Sequence, residues 1–229
     1  MHDIRPYQLF TLLDSAPTTI AHVPIPSRPA KGGVTLLESF LIIAASRLVS
    51  ARRLFEFGTF MGGTTLNLAL NTPGDAQIFT IDLDPSSVNS LRQHAADVPH
   101  TEMHLASKSK LDFMGNPAQE KITMLSGNSI VFDFSPYQQS MDFVYIDGGH
   151  DYDTVAADTK NAFSMIRTAT PSCILWHDYK NRDCNYEDLT RYLDELSCER
   201  SLFAIGDTML CVWFNDPEES IVPRLLKAA

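Results

Sequence analysis

The hydrophobic residues of the chain follow two alternating spacings. Short apolar runs, typical of buried strands, are separated by longer segments in which apolar residues recur every three or four positions, as on one face of a helix. The predicted strands are Leu54–Phe57, Ile78–Asp82, Ile122–Leu125, Met141–Ile146, Cys173–Trp176, Leu202–Ile205 and Met209–Phe214. The predicted helices are Thr35–Ser50, Thr64–Leu70, Pro85–Ala96, Thr154–Arg167 and Tyr186–Leu196.

This order of elements predicts an α/β fold with a doubly wound, mostly parallel sheet of seven strands. Strands that alternate with helices favour that architecture, because a helix connects each strand to a parallel neighbour. Only Gly206–Thr208 separates the last two strands, which is hairpin spacing, so we expect an antiparallel strand at the C-terminal end. Ligands of such sheets bind beyond the carboxyl ends of the strands, where the functional residues are therefore expected.

The domain organisation is predicted to be simple. A length of 229 residues favours one domain rather than two. Residues 1–33 are rich in proline and end in Gly32 and Gly33, which predicts an irregular N-terminal arm. Residues 34–229 are predicted to form the single domain.

The composition is that of a globular protein with net negative charge. Apolar residues make up 44% of the chain and charged residues 20%, which excludes disorder over most of its length. The 28 acidic residues outnumber the 18 Lys and Arg, giving a net charge of −10, so we expect a small-molecule substrate and no nucleic acid partner. The acidity serves either solubility or a pocket that holds a cation.

The sequence predicts neither a membrane segment nor export. The most apolar stretch, Phe40–Val49, is interrupted by Ser46 and Arg47 and is shorter than the roughly 18–20 residues that a span needs. Asp3 and Arg5 lie where a secretory signal would need an apolar core. The four cysteines form no C-x-x-C pair, which argues against zinc and dithiol chemistry. We therefore expect a cytoplasmic protein with reduced thiols.

The first predicted strand leads into a glycine-rich turn. Gly58 and Gly62 allow a tight turn and close approach to a ligand, and Thr64 opens the next helix. The glycine spacing is not that of the dinucleotide-binding G-x-G-x-x-G motif. Glu56 lies inside the apolar strand, where a buried carboxylate is costly unless it is paired. It either points to solvent or faces a positively charged ligand.

The next two strands end in polar residues suited to a nucleoside. Asp82 follows Gly58 by 24 residues, near the position at which an acidic residue commonly binds ribose hydroxyls. A plain helix cap is the alternative for Asp82. Asn128 and Ser129 follow the third strand and suit the edge of an adenine, with an ordinary turn as the alternative.

The fourth and fifth strands end in Asp147 and Asp178. Neighbouring strands bring these carboxylates to one point, where they could hold a divalent cation such as Mg²⁺. His150 lies three residues past Asp147 on a glycine-loosened loop and is a candidate general base. His177 is more simply a packed or hydrogen-bonded residue.

These segments resemble the motifs of class I S-adenosylmethionine (SAM)-dependent methyltransferases, which have a Rossmann-like fold. EFGTFMGGT at 56–64 is similar to their first motif, TIDLDP at 80–85 to their second, and MDFVYIDGGHDYDTV at 141–155 to their strand-four motif. The likeness covers about residues 35–215. With ILWHDY at 174–179, it is closest to the small cation-dependent O-methyltransferases of the catechol type and to bacterial enzymes that act on antibiotics and sugars.

The resemblance implies a role for each strand end. Residues placed around the methionine part of SAM are Glu56, Gly58, Phe60, Gly62 and Thr64. The ribose is assigned to Asp82 and the adenine to Asn128 and Ser129. Asp147 would contact both cofactor and metal, Asp178 would be the second metal ligand, and His150 falls where the catechol-type enzymes carry a lysine base.

One position departs from the family pattern. Catechol-type enzymes follow the strand-five Asp with an Asn ligand, and this chain has Tyr179 there. Either His177, Asn181 or a water takes that place, or no metal binds.

The resemblance implies transfer of a methyl group to a hydroxyl oxygen of a small molecule. A non-catalytic binding module and a nicotinamide-dependent oxidoreductase are the alternatives. Substrate pockets of this architecture are built from the N-terminal arm and inserted loops, here residues 1–33 and 100–121. Lys108, Lys110 and Phe113 in the second segment are compatible with an anionic or phenolic acceptor, or with a solvated surface loop. Dimers are common among resembling enzymes, which suggests a homodimer.

Overall fold

A computed structural model describes residues 1–13, 33–88, 93–107, 110–181 and 183–227. Its strands are β1 (His2–Ile4), β2 (Arg53–Phe57), β3 (Gln77–Asp82), β4 (Ile122–Ser126), β5 (Phe143–Ile146), β6 (Ser172–Trp176), β7 (Phe203–Ile205) and β8 (Cys211–Asn215). Its helices are α1 (Pro6–Phe10), α2 (Leu36–Leu48), α3 (Gly63–Asn71), α4 (Pro85–Val88), α5 (Val98–Ser107), α6 (Tyr152–Met165), α7 (Glu187–Leu196) and α8 (Val222–Lys227).

The strands form one sheet in the order β1-β7-β8-β6-β5-β2-β3-β4. Every pair is parallel except those of β8, which runs antiparallel to both β6 and β7. The predicted fold class, a doubly wound and mostly parallel sheet with an antiparallel C-terminal strand, is confirmed. No helix among the described residues is long and apolar enough to cross a membrane.

The start of the chain adds a strand to the seven that were predicted. His2–Ile4 pairs in parallel with β7, and Ile4 is buried. Pro6 stands in the first turn of α1, a position that tolerates a residue without an N–H, so this proline starts a helix instead of marking an irregular segment. Residues 14–32, the rest of the predicted arm, lie outside the described residues.

The helix predicted at Pro85–Ala96 is only partly seen. Helix α4 covers its first turn, residues 89–92 lie outside the described residues, and 93–97 are not helical. A helix that was not predicted, α5, follows directly. Its segment VPHTEMHLAS has no clear apolar face, so hydrophobic periodicity did not reveal it.

Apolar side chains cover both faces of the central strands. Along β2, Leu54 packs into one cluster and Phe55 into the other, and Phe143 and Val144 on β5 divide in the same way. This pattern is expected of a sheet with helices on both sides. The faces of these strands are therefore closed to a ligand, and the carboxyl edge of the sheet remains open to one.

The crevice of the sheet lies between β2 and β5. The chain runs outward from β2 to β4 and then returns to β5 on the other side, which is the point where ligands of doubly wound sheets bind. Gly58 has a φ of +90°, and a Cβ built there would stand 2.0 Å from the carbonyl oxygen of Asp147. Only glycine therefore allows these two strand ends to approach so closely.

This close approach can be tested with three glycine variants. Gly58→Ala is expected to lower the free energy of unfolding by about 3 kcal/mol or more, because both the backbone angle and the carbonyl of Asp147 oppose a side chain. Gly115→Ala, with a φ of +78° and open space around it, isolates the backbone effect and should lose about 1 kcal/mol. Gly74→Ala has neither feature and should stay within about 0.5 kcal/mol of the parent. Urea denaturation measures all three, and equal losses at positions 58 and 115 would contradict the predicted clash.

Candidate active site

Glu56 is a fully buried carboxyl group at the carboxyl end of β2, with 0% of its surface exposed. Its Oε2 accepts hydrogen bonds from Thr65 Oγ1 on α3 and, at 2.6 Å, from Thr80 Oγ1 on β3. Its Oε1 has no hydrogen-bond partner among the described residues. Burial, with smaller contributions from the charges of Asp147 and Asp82, raises the pKa of Glu56 to about 8. The alternative that this side chain points to solvent is therefore wrong.

The two threonines beside Glu56 were missed in the sequence. Thr65 follows the predicted Thr64 and is buried, whereas Thr64 is partly exposed in the first turn of α3. Thr80 is the register partner of Glu56 across the β2–β3 pair. Pairing the predicted strands β2 and β3 in register could have revealed Thr80, because directly opposed side chains on neighbouring strands lie close together.

Asp82 holds the turn that follows β2. Its Oδ2 accepts from the backbone N–H of Phe60 at 2.7 Å, and its Oδ1 accepts from that of Leu83 at 2.7 Å. Phe60 has a φ of +47°, an uncommon angle for a bulky residue. Asp84, and not Asp82, accepts from the amide of Ser86 in the first turn of α4, so the helix-cap alternative for Asp82 is wrong. Each Asp82 oxygen keeps a further lone pair for a ligand hydroxyl.

The second glycine of this turn contacts the inserted segment. Gly62 has a φ of +81°, and a Cβ there would stand 2.7 Å from the ring of Phe113. Phe113 is buried against Leu66 and Leu111, so it is a packing residue and does not line an open acceptor pocket. Lys110 is exposed, and Lys108 lies outside the described residues.

Asn128 and Ser129 form the turn after β4. The Oδ1 of Asn128 accepts from the N–H of Ile130 at 2.9 Å, and the side chain of Ser129 donates to buried Asp158 on α6. Gly127 donates its N–H to the carbonyl of Asp82 at 3.0 Å, which places the turn beside the end of β3. The Asn128 side chain thus serves the turn, the Ser129 side chain contacts α6, and the adenine contact stays a prediction.

Asp147 and Asp178 are brought together, as their strand positions predicted. One ligand atom each of Asp147, His150 and Asp178 lies within 4.8 Å of the others. Tyr145 donates its hydroxyl to Asp147 Oδ2 at 3.1 Å. The Nδ1 of His177 lies 3.3 Å from a carboxylate oxygen of each of the two aspartates. These residues form the acidic cluster of the site.

His150 is clamped between two carboxylates and is only 7% exposed. Its Nδ1 lies 2.8 Å from Asp97 Oδ1 and its Nε2 lies 2.9 Å from Asp178 Oδ2, while its ring stacks on Tyr186 at 3.7 Å. Burial alone would lower the pKa of His150, but the hydrogen bonds to Asp178 and Asp97 outweigh it and raise the pKa to about 10. The predicted role of general base needs a free ring nitrogen, which this arrangement does not offer.

Glu38 is a further buried residue of the cluster and was not predicted as functional. The Nε2 of His177 lies 3.5 Å from Oε2 of Glu38 on α2. Glu38 accepts from the amides of Thr35 and Met209, at 2.8 and 2.9 Å. Burial raises the pKa of Glu38, but hydrogen bonds and the charge of His177 outweigh it and lower the pKa to about 2. In sequence, Glu38 has the spacing of a capping box with Thr35, which hides its second role.

The balance of charge in the cluster favours a cation. It contains four carboxylates, those of Glu38, Asp97, Asp147 and Asp178, and the two imidazoles of His150 and His177. Even if both imidazole rings are protonated, the positive charge that they carry is smaller than the negative charge of the four carboxylates. A positively charged ligand at this edge of the sheet would offset the remaining negative charge.

The doubly wound sheet with its antiparallel β8 has the strand arrangement of class I methyltransferases. A family model described as a methyltransferase domain matches residues 55–179, more than half of the chain. The chain belongs to this methyltransferase family, which confirms the resemblance seen in the sequence.

Solved structures agree in fold. An O-methyltransferase from Streptomyces achromogenes involved in tomaymycin synthesis, in complex with SAM, is 15% identical, with a TM-score of 0.51 over 80% of this chain and 81% of that chain. An O-methyltransferase from Bacillus cereus in complex with S-adenosylhomocysteine (SAH) is 13% identical, with a TM-score of 0.54 over 90% of each chain. An SAH-bound methyltransferase from Podospora anserina is 12% identical, with a TM-score of 0.55 over 80% and 79%. No match was found among curated proteins.

The buried proton of Glu56 leads to a prediction about stability and pH. The unfolded chain releases this proton above about pH 4.5, whereas the folded protein keeps it until about pH 8. Stability should therefore fall as pH rises between these values, by up to about 1.4 kcal/mol per pH unit from this group alone. Glutamine has no proton to lose in this pH range. The melting temperature of Glu56→Gln should therefore rise relative to that of the parent as the pH increases from 5 to 8. Glu120→Gln, at an exposed position, is the control, and parallel pH profiles for the parent and Glu56→Gln would contradict the prediction.

Proposed function

We propose that the protein transfers the methyl group of SAM to a hydroxyl oxygen of a small molecule, with Mg²⁺ bound at Asp147 and Asp178. The observation that carries this proposal is the buried carboxyl of Glu56, whose Oε1 has no partner in the described structure. Asp82 and Asp147 lie near enough to raise its pKa. Such a group is costly to ionise in the free protein, which keeps it protonated, and its ionised form is complementary to a positively charged ligand.

The cofactor is proposed to lie over the crevice between β2 and β5. SAM supplies a methyl group on a positively charged sulfur. The methionine part is assigned to Glu56, Gly58, Phe60, Gly62 and Thr64, the ribose to Asp82, and the adenine edge to Asn128 and Ser129. Asp147 is assigned a contact to both the cofactor and the metal. The close approach at Gly58 and the open Oε1 of Glu56 fit a ligand held against backbone at this point.

Methyl transfer to a hydroxyl oxygen has two requirements, alignment of the reactants and loss of the hydroxyl proton. The acceptor oxygen forms a bond to the methyl carbon as the carbon–sulfur bond breaks, so the residues must first hold the two reactants in line. SAH leaves with the electron pair of the broken bond, and the hydroxyl must also lose its proton, which passes to water. A divalent cation bound to that hydroxyl would lower its pKa, and the acidic cluster supplies the oxygen ligands that Mg²⁺ prefers.

The third protein ligand is proposed to be His150. Tyr179 is excluded, because its hydroxyl donates to Asp194 Oδ1 at 2.7 Å and its side chain is buried against α7. Asn181 donates its amide to Asp178 Oδ1 and so orients that carboxylate. His150 already has Nε2 beside Asp178, within the group of atoms that could hold an ion. As a ligand, the ring would have to lose its proton and exchange the hydrogen bond between Nε2 and Asp178 for the ion, so metal binding would release a proton.

The acceptor site is proposed to be the open cavity next to the acidic cluster. This cavity of about 600 Å³ includes Asn181 and Lys180 from the loop after β6 and Thr190 from α7. The residues that line it are all polar or charged, which suits a small hydroxylated molecule. A small-molecule acceptor, the absence of nucleic acid and membrane partners, a homodimer and a cytoplasmic location stay predictions from the sequence.

The assignment of the ribose to Asp82 predicts a loss of cofactor affinity. Asp82→Ala should raise the Kd for SAH at least tenfold, because hydrogen bonds to a charged group contribute about 1.5–3 kcal/mol. Titration calorimetry measures this, with Asp75→Ala as the control. Asp75 is an exposed aspartate paired with Arg52. Both residues lie just before the strands β3 and β2 begin, at the opposite edge of the sheet from Asp82. An unchanged Kd for Asp82→Ala would contradict the assignment.

The metal proposal is tested separately. Calorimetric titration of Mg²⁺ into SAH-loaded protein should show one site, and Asp178→Asn should weaken it at least tenfold because a charged ligand is lost. Asp183→Asn, an exposed position in the same loop, should leave the affinity unchanged. In an activity screen over phenols, sugars and other hydroxylated acceptors, a chelator should abolish turnover. Full turnover with the chelator would remove the metal from the proposal.

A further inference from the structure

The segment inserted between β3 and β4 packs directly on the glycine-rich turn. The backbone N–H of Asp112 donates to the carbonyl of Met61 at 2.8 Å, and Phe113 contacts Gly62. The ring of His100, on α5, meets the ring of Phe60 edge to face at 5.6 Å. Helix α5 therefore covers the turn that is proposed to bind the cofactor.

His104 is the buried polar residue of this helix and is 1% exposed. Its Nδ1 lies 2.6 Å from the carbonyl oxygen of Phe60 and 3.5 Å from Asp82 Oδ2. Because a carbonyl oxygen can only accept, Nδ1 carries the hydrogen and donates it. In the neutral ring, Nε2 is then an acceptor.

The second nitrogen of His104 is unpartnered. Nε2 is buried and has no hydrogen-bond partner among the described residues. Buried polar atoms are nearly always hydrogen-bonded in folded proteins, so an unpaired acceptor here needs an explanation. Since both nitrogens belong to one small ring, the unpaired atom lies in the same region as Asp82, the residue assigned to the ribose.

The peptide of Phe60 is held from both ends. Its N–H donates to Asp82 Oδ2 at 2.7 Å, and its carbonyl accepts from His104. This clamp holds Phe60 at its unusual φ of +47°. Residues in such sparsely populated conformations persist where their surroundings over-determine them, often at ligand sites.

We propose that His104 is a nucleoside-binding residue, whose Nδ1 fixes the turn at Phe60 while its Nε2 accepts a hydrogen bond from a ribose hydroxyl. This inference rests on the proposed function, since it names a second ribose contact in the same cofactor site. The ribose diol would be shared between Asp82 from β3 and His104 from α5. The inserted helix would thereby join the cofactor site as a binding element.

The two nitrogens can be separated by substitution. In His104→Asn, the amide nitrogen can replace Nδ1 as donor to Phe60, and Nε2 is lost. In His104→Gln, the longer amide can reach the place of Nε2. Glu102→Gln, at an exposed position on the same helix, is the control.

The experiment compares SAH with its 2′-deoxy and 3′-deoxy analogues by titration calorimetry. For His104→Asn, the Kd for SAH should rise about tenfold, and for one deoxy analogue it should equal that of the parent, because the contacted hydroxyl is already missing. His104→Gln should recover part of the SAH affinity, and Glu102→Gln should match the parent for all three ligands.

Two outcomes would overturn the inference. One is an unchanged SAH affinity in both His104 variants. The other is an equal loss for all three ligands, which would show that His104 acts only through the shape of the turn. A parent protein that binds none of the three ligands would instead refute the proposed function, and the inference with it. Melting temperatures of the variants within a few degrees of the parent would confirm that each one folds.

Discussion

Negative charge gathered at the carboxyl ends of four neighbouring strands is the constraint on which the rest of the site depends. Parallel strands deliver the residues that follow them to one edge, so Glu56, Asp82, Asp147 and Asp178 meet there as a consequence of topology. Like charges at close range in a poorly solvated place repel each other strongly. The free protein must therefore neutralise or compensate each one.

The compensation differs from strand to strand. Glu56 keeps a proton and two threonine hydrogen bonds, Asp82 accepts backbone amides, and Asp178 has the imidazoles of His150 and His177 beside it. The pKa shifts of Glu56 and His150 express this directly, since one buried acid stays neutral and one buried base stays charged. These contacts leave some buried polar atoms of the site without a hydrogen-bond partner among the described residues. Glu56 Oε1 and His104 Nε2 are among these atoms, so a ligand could still bond to them.

The sequence was informative where chemistry follows directly from a strand. An acidic residue after a short apolar run has a defined place in a parallel sheet, so the meeting of Asp147 and Asp178 followed from strand assignment alone. The partners of these residues come from distant elements. Glu38 resembles a helix cap, Asp97 follows an irregular segment, and α5 lacks an apolar stripe. Local patterning does not encode which distant side chain fills a given contact, so these residues required the structure.

For His150, the sequence predicted the location of the side chain correctly but did not determine its chemical role. Its distance along the chain from Asp147 placed it at the cluster, and the structure finds it there. Its chemistry depends on Asp97, whose carboxylate holds Nδ1 and so directs Nε2 at Asp178. A histidine held in this way can serve as a fixed positive charge or, once its proton is lost, as a ligand. The position of a side chain follows from the fold, whereas its protonation state is set by the neighbours that the fold assembles.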